Sequence, residues 1–194
     1  MLPDLFCWTR FGTEAGEAIE QIIARKEAER SASGGVFFWG VGNSVAPGVA
    51  ELVRRCDSPE LLFSPIRSRP RPADVAPSRV ALWQAGETLD GERFVLPETA
   101  RVTSRHDPEA PRPHYALVCA SAQRLELSEL GRLDFSALRN LLSGNPLGAS
   151  QVTAVVSRDG EPREGGAVYP VSLRVALVAP YFLRLREPIP IGDG

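Results

Sequence analysis

The sequence predicts an α+β protein in which a curved or barrel-like mixed β-sheet carries two to three flanking helices. Three observations predict the α+β layout. Apolar runs come in the order strand, helix, strand, helix, strand and then mostly strands; only one long amphipathic helical stretch occurs, over residues 13–32; and two of the last three runs, with Ser172, Arg174, Arg184 and Arg186 among apolar neighbours, alternate by twos. A doubly wound fold would instead need helices alternating with strands to the end. With 194 residues, the chain can bury about 70% of its unfolded surface without metal or disulfide staples. No repeat and no linker separates a second core, so a single domain over residues 1–194 is expected.

The elements follow in order. "DLFCW" is a short apolar run and reads as a strand. In "TEAGEAIEQIIARKEAERSA", Thr13 can cap a helix, Glu14 and Glu17 suit its positive end, and Ala15, Ile19, Ile22 and Ile23 form an apolar stripe. Glu20, Arg25, Lys26, Glu27, Glu29 and Arg30 then fall on a solvated face, and Gly34 and Gly35 end the helix. "VFFW" is a second strand. "SVAPGVAELVRRC" is a short helix with Ser44 as N-cap and Pro47 in the first turn, where its missing N–H costs little. "LLFSPI" is a third strand. "RSRPRPADVAPSR", at 67–79, is too rich in proline for a helix or a central strand and reads as an extended loop.

"VALWQ" and "RFVLP" flank the turn dipeptide Asp90-Gly91, and "RHDPEAPRPH" is a second Pro-rich loop before the buried strand "YALVCAS". "DFSALRNLLS" reads as a short helix that Asp134 caps. "SQVTAVV", "VYPVSLRVALV" and "YFLRLREPIPI" are strands, the first two separated by a Gly-rich loop at 159–166.

Composition narrows the function classes. The 43% apolar and 24% charged content is that of an ordinary globular protein. No run approaches the roughly 18 apolar residues of a membrane span, and "MLPDLFCWTR" has no basic n-region, so a cytoplasmic address and no membrane partner are expected. Cys7, Cys56 and Cys119 form an odd set without a CxxC pair, which fits buried free thiols in a reducing compartment. Of 22 basic residues only Lys26 is a lysine, and the net charge of -2 argues against indiscriminate binding of polyanions.

Gly40-x-Gly42 follows a strand and precedes a helix, which raises a phosphate loop. The dinucleotide fingerprint, however, wants a small sixth residue; Val45 stands there and Ala46 comes one position late. The next strand leads into arginines rather than an acid, so an NADP-like nucleotide-cofactor enzyme is kept as the alternative reading. No catalytic constellation is complete. His106 and His114 lack metal-ligand spacing, Cys119 and His114 point to opposite faces of one strand, and Ser44 and Ser150 lie outside any G-x-S-x-G. No metal or cofactor is assigned.

Phe6 and Trp8 in the first strand, then Trp39, Gly40, Val41 and Asn43, then "GVAELVRR" and "LLFS" at 61–64, resemble over residues 5–66 the EVE domain of the PUA-like superfamily of nucleic-acid readers. Gly42 stands where that family has an arginine, and Ser64 and Pro65 where it has a Tyr-His pair. The resemblance implies a pseudobarrel with an aromatic-lined pocket for a modified or flipped base. A base out of its stack needs a flat wall, which Trp8, Trp39 or Trp83 can supply, and edge readers, for which Asn43, Ser44 and Ser64 serve. Arg67, Arg69 and Arg71, on the Pro-stiffened segment, suit a phosphate backbone. The expected partner is therefore DNA or RNA, single-stranded or locally unpaired. A protein-interaction module without a small ligand is the third reading.

Overall fold

The computed structural model describes residues 2–12, 18–66, 80–97, 101–103, 113–124 and 131–190. In chain order the elements are β1 (Leu5–Phe11), α1 (Ile19–Ala32), β2 (Val36–Val41), α2 (Ala46–Arg55), β3 (Glu60–Pro65), β4 (Val80–Glu87) and β5 (Arg93–Val95). β6 (Arg101–Thr103), β7 (His114–Arg124), β8 (Gly131–Asp134), β9 (Arg139–Asn140), β10 (Thr153–Ser157), β11 (Val168–Val171) and β12 (Leu173–Pro190) follow. The protein is thus α+β, with mixed strand pairing and two α-helices among the described residues. None of its described helices is long and apolar enough to cross a membrane.

The chain forms two compact units, each assembled from separate stretches of sequence. The first holds Met1–Phe11, Ser44–Arg67 and Ser121–Leu177. At its centre β1 lies parallel to β3, with Cys7 opposite Leu61 and Phe11 opposite Pro65, and antiparallel to β10, with Leu5 opposite Ser157. The start of β12 pairs with β3, β9 pairs with β10, and β8 and β11 form a separate two-stranded ladder. Because β1 has a neighbour on each side and is covered on both faces, Phe6, Cys7, Trp8 and Thr9 are all buried. Phe6 and Trp8 pack with Leu62, Leu133, Leu138 and Val156.

α2 buries Gly48, Val49 and Leu52. A Cβ on Gly48 would stand 2.9 Å from the Cβ of Val155 on β10, so the helix sits closer to the sheet than an alanine allows. Gly48→Ala gains about 1 kcal/mol of helix propensity but forces an overpacked contact costing about 1–3 kcal/mol. We expect a net loss of stability in urea titrations. In a Val155→Gly background, where the opposing Cβ and both methyls are gone, the same substitution is expected to stabilise.

The second unit holds Gly12–Asn43, Ser68–Ala120 and Val178–Gly194. β2 runs antiparallel to β7, β7 neighbours β12, and β12 pairs with β4, which also takes β5 and β6. The expected hairpin at Asp90-Gly91 is present: Gly91 has φ +81° and β5 returns antiparallel on β4. Phe38, Trp83, Leu96, Val118, Leu183 and Leu185 form its core.

Three sequence expectations need correction. First, the strand pairing does not close into the pseudobarrel that was expected, among the described residues. In the first unit the path ends at the two-residue β9. In the second it ends at β2, where the Phe38 N–H donates to Glu29 Oε1 at 3.1 Å and the Phe38 carbonyl accepts from Lys26 Nζ, so side chains occupy backbone groups a further strand would need. Second, α1 begins at Ile19, where the Ala18 N–H donates to Gln21 Oε1 at 2.8 Å. Thr13, Glu14, Ala15 and Glu17 lie outside the described residues. Lys26 and Glu29, assigned to the solvated face, are buried. Third, Ser44 does not cap α2; it sits in the 3-10 turn Asn43–Val45 that precedes the helix.

"DFSALRNLLS" is also not a helix. Asp134 does cap, accepting from the Ser136 N–H at 2.9 Å, but only a 3-10 turn, Phe135–Ala137, follows. Arg139 Nη1 donates to the Ser136 and Leu138 carbonyls, and Asn140 Oδ1 accepts from the Leu142 and Ser143 N–H groups. Local side-chain bonds thus take backbone groups a helix would have used.

Candidate functional site

A cluster of aromatic and polar side chains lies in the first unit at the C-terminal end of β1. Successive strand residues alternate faces, so Phe6, Trp8 and Arg10 share one. Trp8 is fully enclosed, its ring 5.4 Å from Phe135 and 5.7 Å from Tyr169, centroid to centroid. Phe135 and Tyr169 meet edge to face at 5.7 Å. The Trp8 Nε1–H donates to Ser64 Oγ at 2.9 Å, and Ser64 is itself fully buried. The parallel register makes this contact, since Trp8 is opposite Leu62 and Ser64 lies one same-face step further along β3.

Arg10, opposite Ser64, closes the cluster. Its guanidinium carbon stands 5.8 Å from the Trp8 ring centroid and 5.7 Å from that of Tyr169, within cation–π range. Nη1 donates to the Tyr169 hydroxyl at 3.3 Å and Nη2 to the Ala149 carbonyl at 3.0 Å. The buried Nε–H finds no acceptor among the described residues. Both accepting groups are neutral, and no described carboxylate pairs with Arg10. The loop that presents Ala149 is a turn: the Gln151 N–H donates to the Gly148 carbonyl at 2.9 Å and Gln151 Nε2 to the Thr153 carbonyl at 2.6 Å. Ser150 is exposed there.

Of the residues singled out from the sequence, the structure joins Trp8 and Ser64. Both are walled in by protein, so a base would reach the Trp8 ring only after Phe135 or Tyr169 turned aside. Trp39 is half-buried on β2, and Asn43 is exposed in the turn after it, both in the second unit; Ser44, also exposed, belongs to the first. Arg67, Arg69 and Arg71 lie outside the described residues, as does His106. The chain leads into that arginine segment from Ile66, whose N–H donates to the Phe11 carbonyl at 2.8 Å.

Sequence reasoning missed Arg10, Phe135 and Tyr169. A period-2 reading from Trp8 would have found Arg10; nothing local marks the two rings, which come from 125 and 159 residues further along the chain than Arg10. No parallel strand–helix–strand unit supports Gly40-x-Gly42 among the described residues, because β2 pairs antiparallel with β7 while β3 runs parallel to β1. Burial pushes the Cys7 thiol up to about 12, which removes it as a nucleophile at neutral pH. No protein-family model, no curated protein and no solved structure matches this chain.

Proposed function

We propose that this protein is a nucleic-acid-binding module that holds an unpaired strand at the C-terminal ends of β1 and β3. The observation that supports this reading best is Arg10: a guanidinium without an acid partner among the described residues, laid against two aromatic rings. It stands at the strand end beside which the chain continues into Arg67, Arg69 and Arg71. Arginine suits phosphate because its planar fork matches two oxygens at once, and aromatic side chains give unpaired bases a face that duplex DNA does not need. The EVE-like order of aromatic and Gly-Val residues adds to the same reading, with a modified or flipped base as the ligand it would favour.

The test is fluorescence anisotropy with labelled single-stranded and duplex DNA and RNA across a salt series. Single strands are expected to bind better, with a log–log salt slope that flattens by about 2 in the Arg67→Ala, Arg69→Ala, Arg71→Ala triple variant, since each lost contact to a single strand is worth about 0.7. Absence of salt-dependent binding to any oligonucleotide sinks the proposal. A thermal shift with NADPH and none with oligonucleotides would favour the nucleotide-cofactor reading of Gly40 and Gly42.

A further inference from the structure

We infer that Arg10 is the anchor for a phosphate group, gripped end-on by its two terminal nitrogens. The inference rests on the nucleic-acid reading and assigns that ligand's first contact. A guanidinium has five N–H donors. In Arg10, one hydrogen of Nη1 goes to Tyr169 and one of Nη2 to Ala149, and Nε–H is sealed inside. One hydrogen remains on each terminal nitrogen, which leaves the two donors that paired oxygens of an anion take up.

Charge points the same way. Arg10 is half-buried, and its described partners are a phenol, a carbonyl and two ring faces, all neutral. Three other arginines in this unit have an acid, with Arg174 Nη2 2.8 Å from Glu60 Oε1, Arg158 Nη2 3.1 Å from Asp4 and Arg54 Nη2 2.7 Å from Glu51, whereas Arg139 shares with Arg10 a set of neutral acceptors. A partly desolvated cation that lacks its own counter-ion is matched by one that arrives with a ligand. The Arg10–Ala149 bond lies at the surface, so that face of the guanidinium is open to one. The rings behind it and the bond to Ala149 hold the fork in place beforehand, which lowers the ordering cost of binding.

A phosphate can come from the backbone of a strand, from a mononucleotide or from free solution, and calorimetric titration separates the three. The probes are a short single-stranded oligonucleotide, AMP, adenosine and inorganic phosphate, each against the wild type, Arg10→Gln and Arg10→Lys. The wild type is expected to bind the phosphate-bearing probes and to ignore adenosine; Arg10→Gln loses at least about tenfold in affinity, and Arg10→Lys, which keeps charge without the fork, falls between. Equal binding of AMP and adenosine, or oligonucleotide affinity unchanged in Arg10→Gln, overturns the inference while leaving the strand reading intact. Phosphate and AMP binding that depends on Arg10, without oligonucleotide binding, sustains the inference and defeats the strand reading. Should Arg10→Gln not fold, the guanidinium nitrogen resonances of the wild type decide: a Arg10 signal, assigned through Arg10→Lys, that moves on adding inorganic phosphate supports the grip, and one that stays fixed refutes it.

Discussion

Glu29→Ala is expected to destabilise the protein by about 3–5 kcal/mol, because it strands the chain's only lysine inside the fold. Lys26 Nζ lies 2.7 Å from Glu29 Oε2, and the two side chains are 10% and 2% exposed. Between them they hold Phe38, Lys26 by its carbonyl and Glu29 by its N–H. Removing the carboxylate takes the counter-charge from a buried ammonium and the acceptor from the buried Phe38 N–H. Replacing both partners together, as Lys26→Met with Glu29→Leu, removes the buried charges as well as the bond, so the double variant is expected to be more stable than Glu29→Ala alone. A denaturant series on the wild type, Glu29→Ala and the double variant tests this; a double variant no more stable than Glu29→Ala would show that the stranded charge is not the source of the loss.

The pair also gives a pH signature. Burial is the largest influence on both groups, raising the Glu29 pKa and lowering that of Lys26, with their mutual attraction opposing each shift. A lysine whose folded pKa is depressed binds fewer protons when folded than when unfolded, so stability rises with pH between that depressed value and the ordinary value of about 10.4. For Glu29 the raised folded pKa works the other way: its contribution is complete below the ordinary carboxylate range and is lost as pH climbs through the raised value. The wild type minus the double variant is therefore expected to show a stability minimum between the two limbs.

That pair also shows where the sequence was readable. Ile22, Lys26 and Glu29 are spaced as one helical face, and the structure buries all three. Periodicity alone contained the answer, but a rule that sends charge to solvent placed two of them outside. The strands were legible because burial on both faces of β1, β3 and β7 leaves near-continuous apolar runs, and the Asp90-Gly91 turn because positive φ selects glycine. The 3-10 turn after Asp134 was not legible as such: the cap is encoded locally, whereas the arrest of the helix depends on which backbone groups Arg139 and Asn140 find. The candidate site was half legible. Trp8 and Ser64 came from the aromatic and polar content of two strands, but their contact comes from the β1–β3 register, and Phe135 and Tyr169 join only through tertiary packing.

Trp8→Ala is the second large effect, an expected loss of about 3–5 kcal/mol. The indole is fully enclosed, and its removal empties the space between Phe135, Tyr169 and Leu62. Trp8→Phe separates the ring from its N–H: most of the packing stays, but Ser64 Oγ loses its donor in a place water does not reach, at a cost of about 1–3 kcal/mol. Ser64→Ala leaves the indole N–H orphaned and costs a similar amount, so Trp8→Phe with Ser64→Ala is expected to lose clearly less than the sum of the two, a coupling that urea midpoints can read. If the two losses simply add, the bond contributes nothing. The same arithmetic decides how binding experiments are to be built. A protein that loses that much stability through Trp8→Ala would lose the proposed nucleic-acid binding whether or not Trp8 ever meets a base, since a marginally stable fold has only about 5–15 kcal/mol to lose. Arg10 is free of that ambiguity, because it lies outside the buried core and can be neutralised while the Trp8–Ser64 contact stays intact.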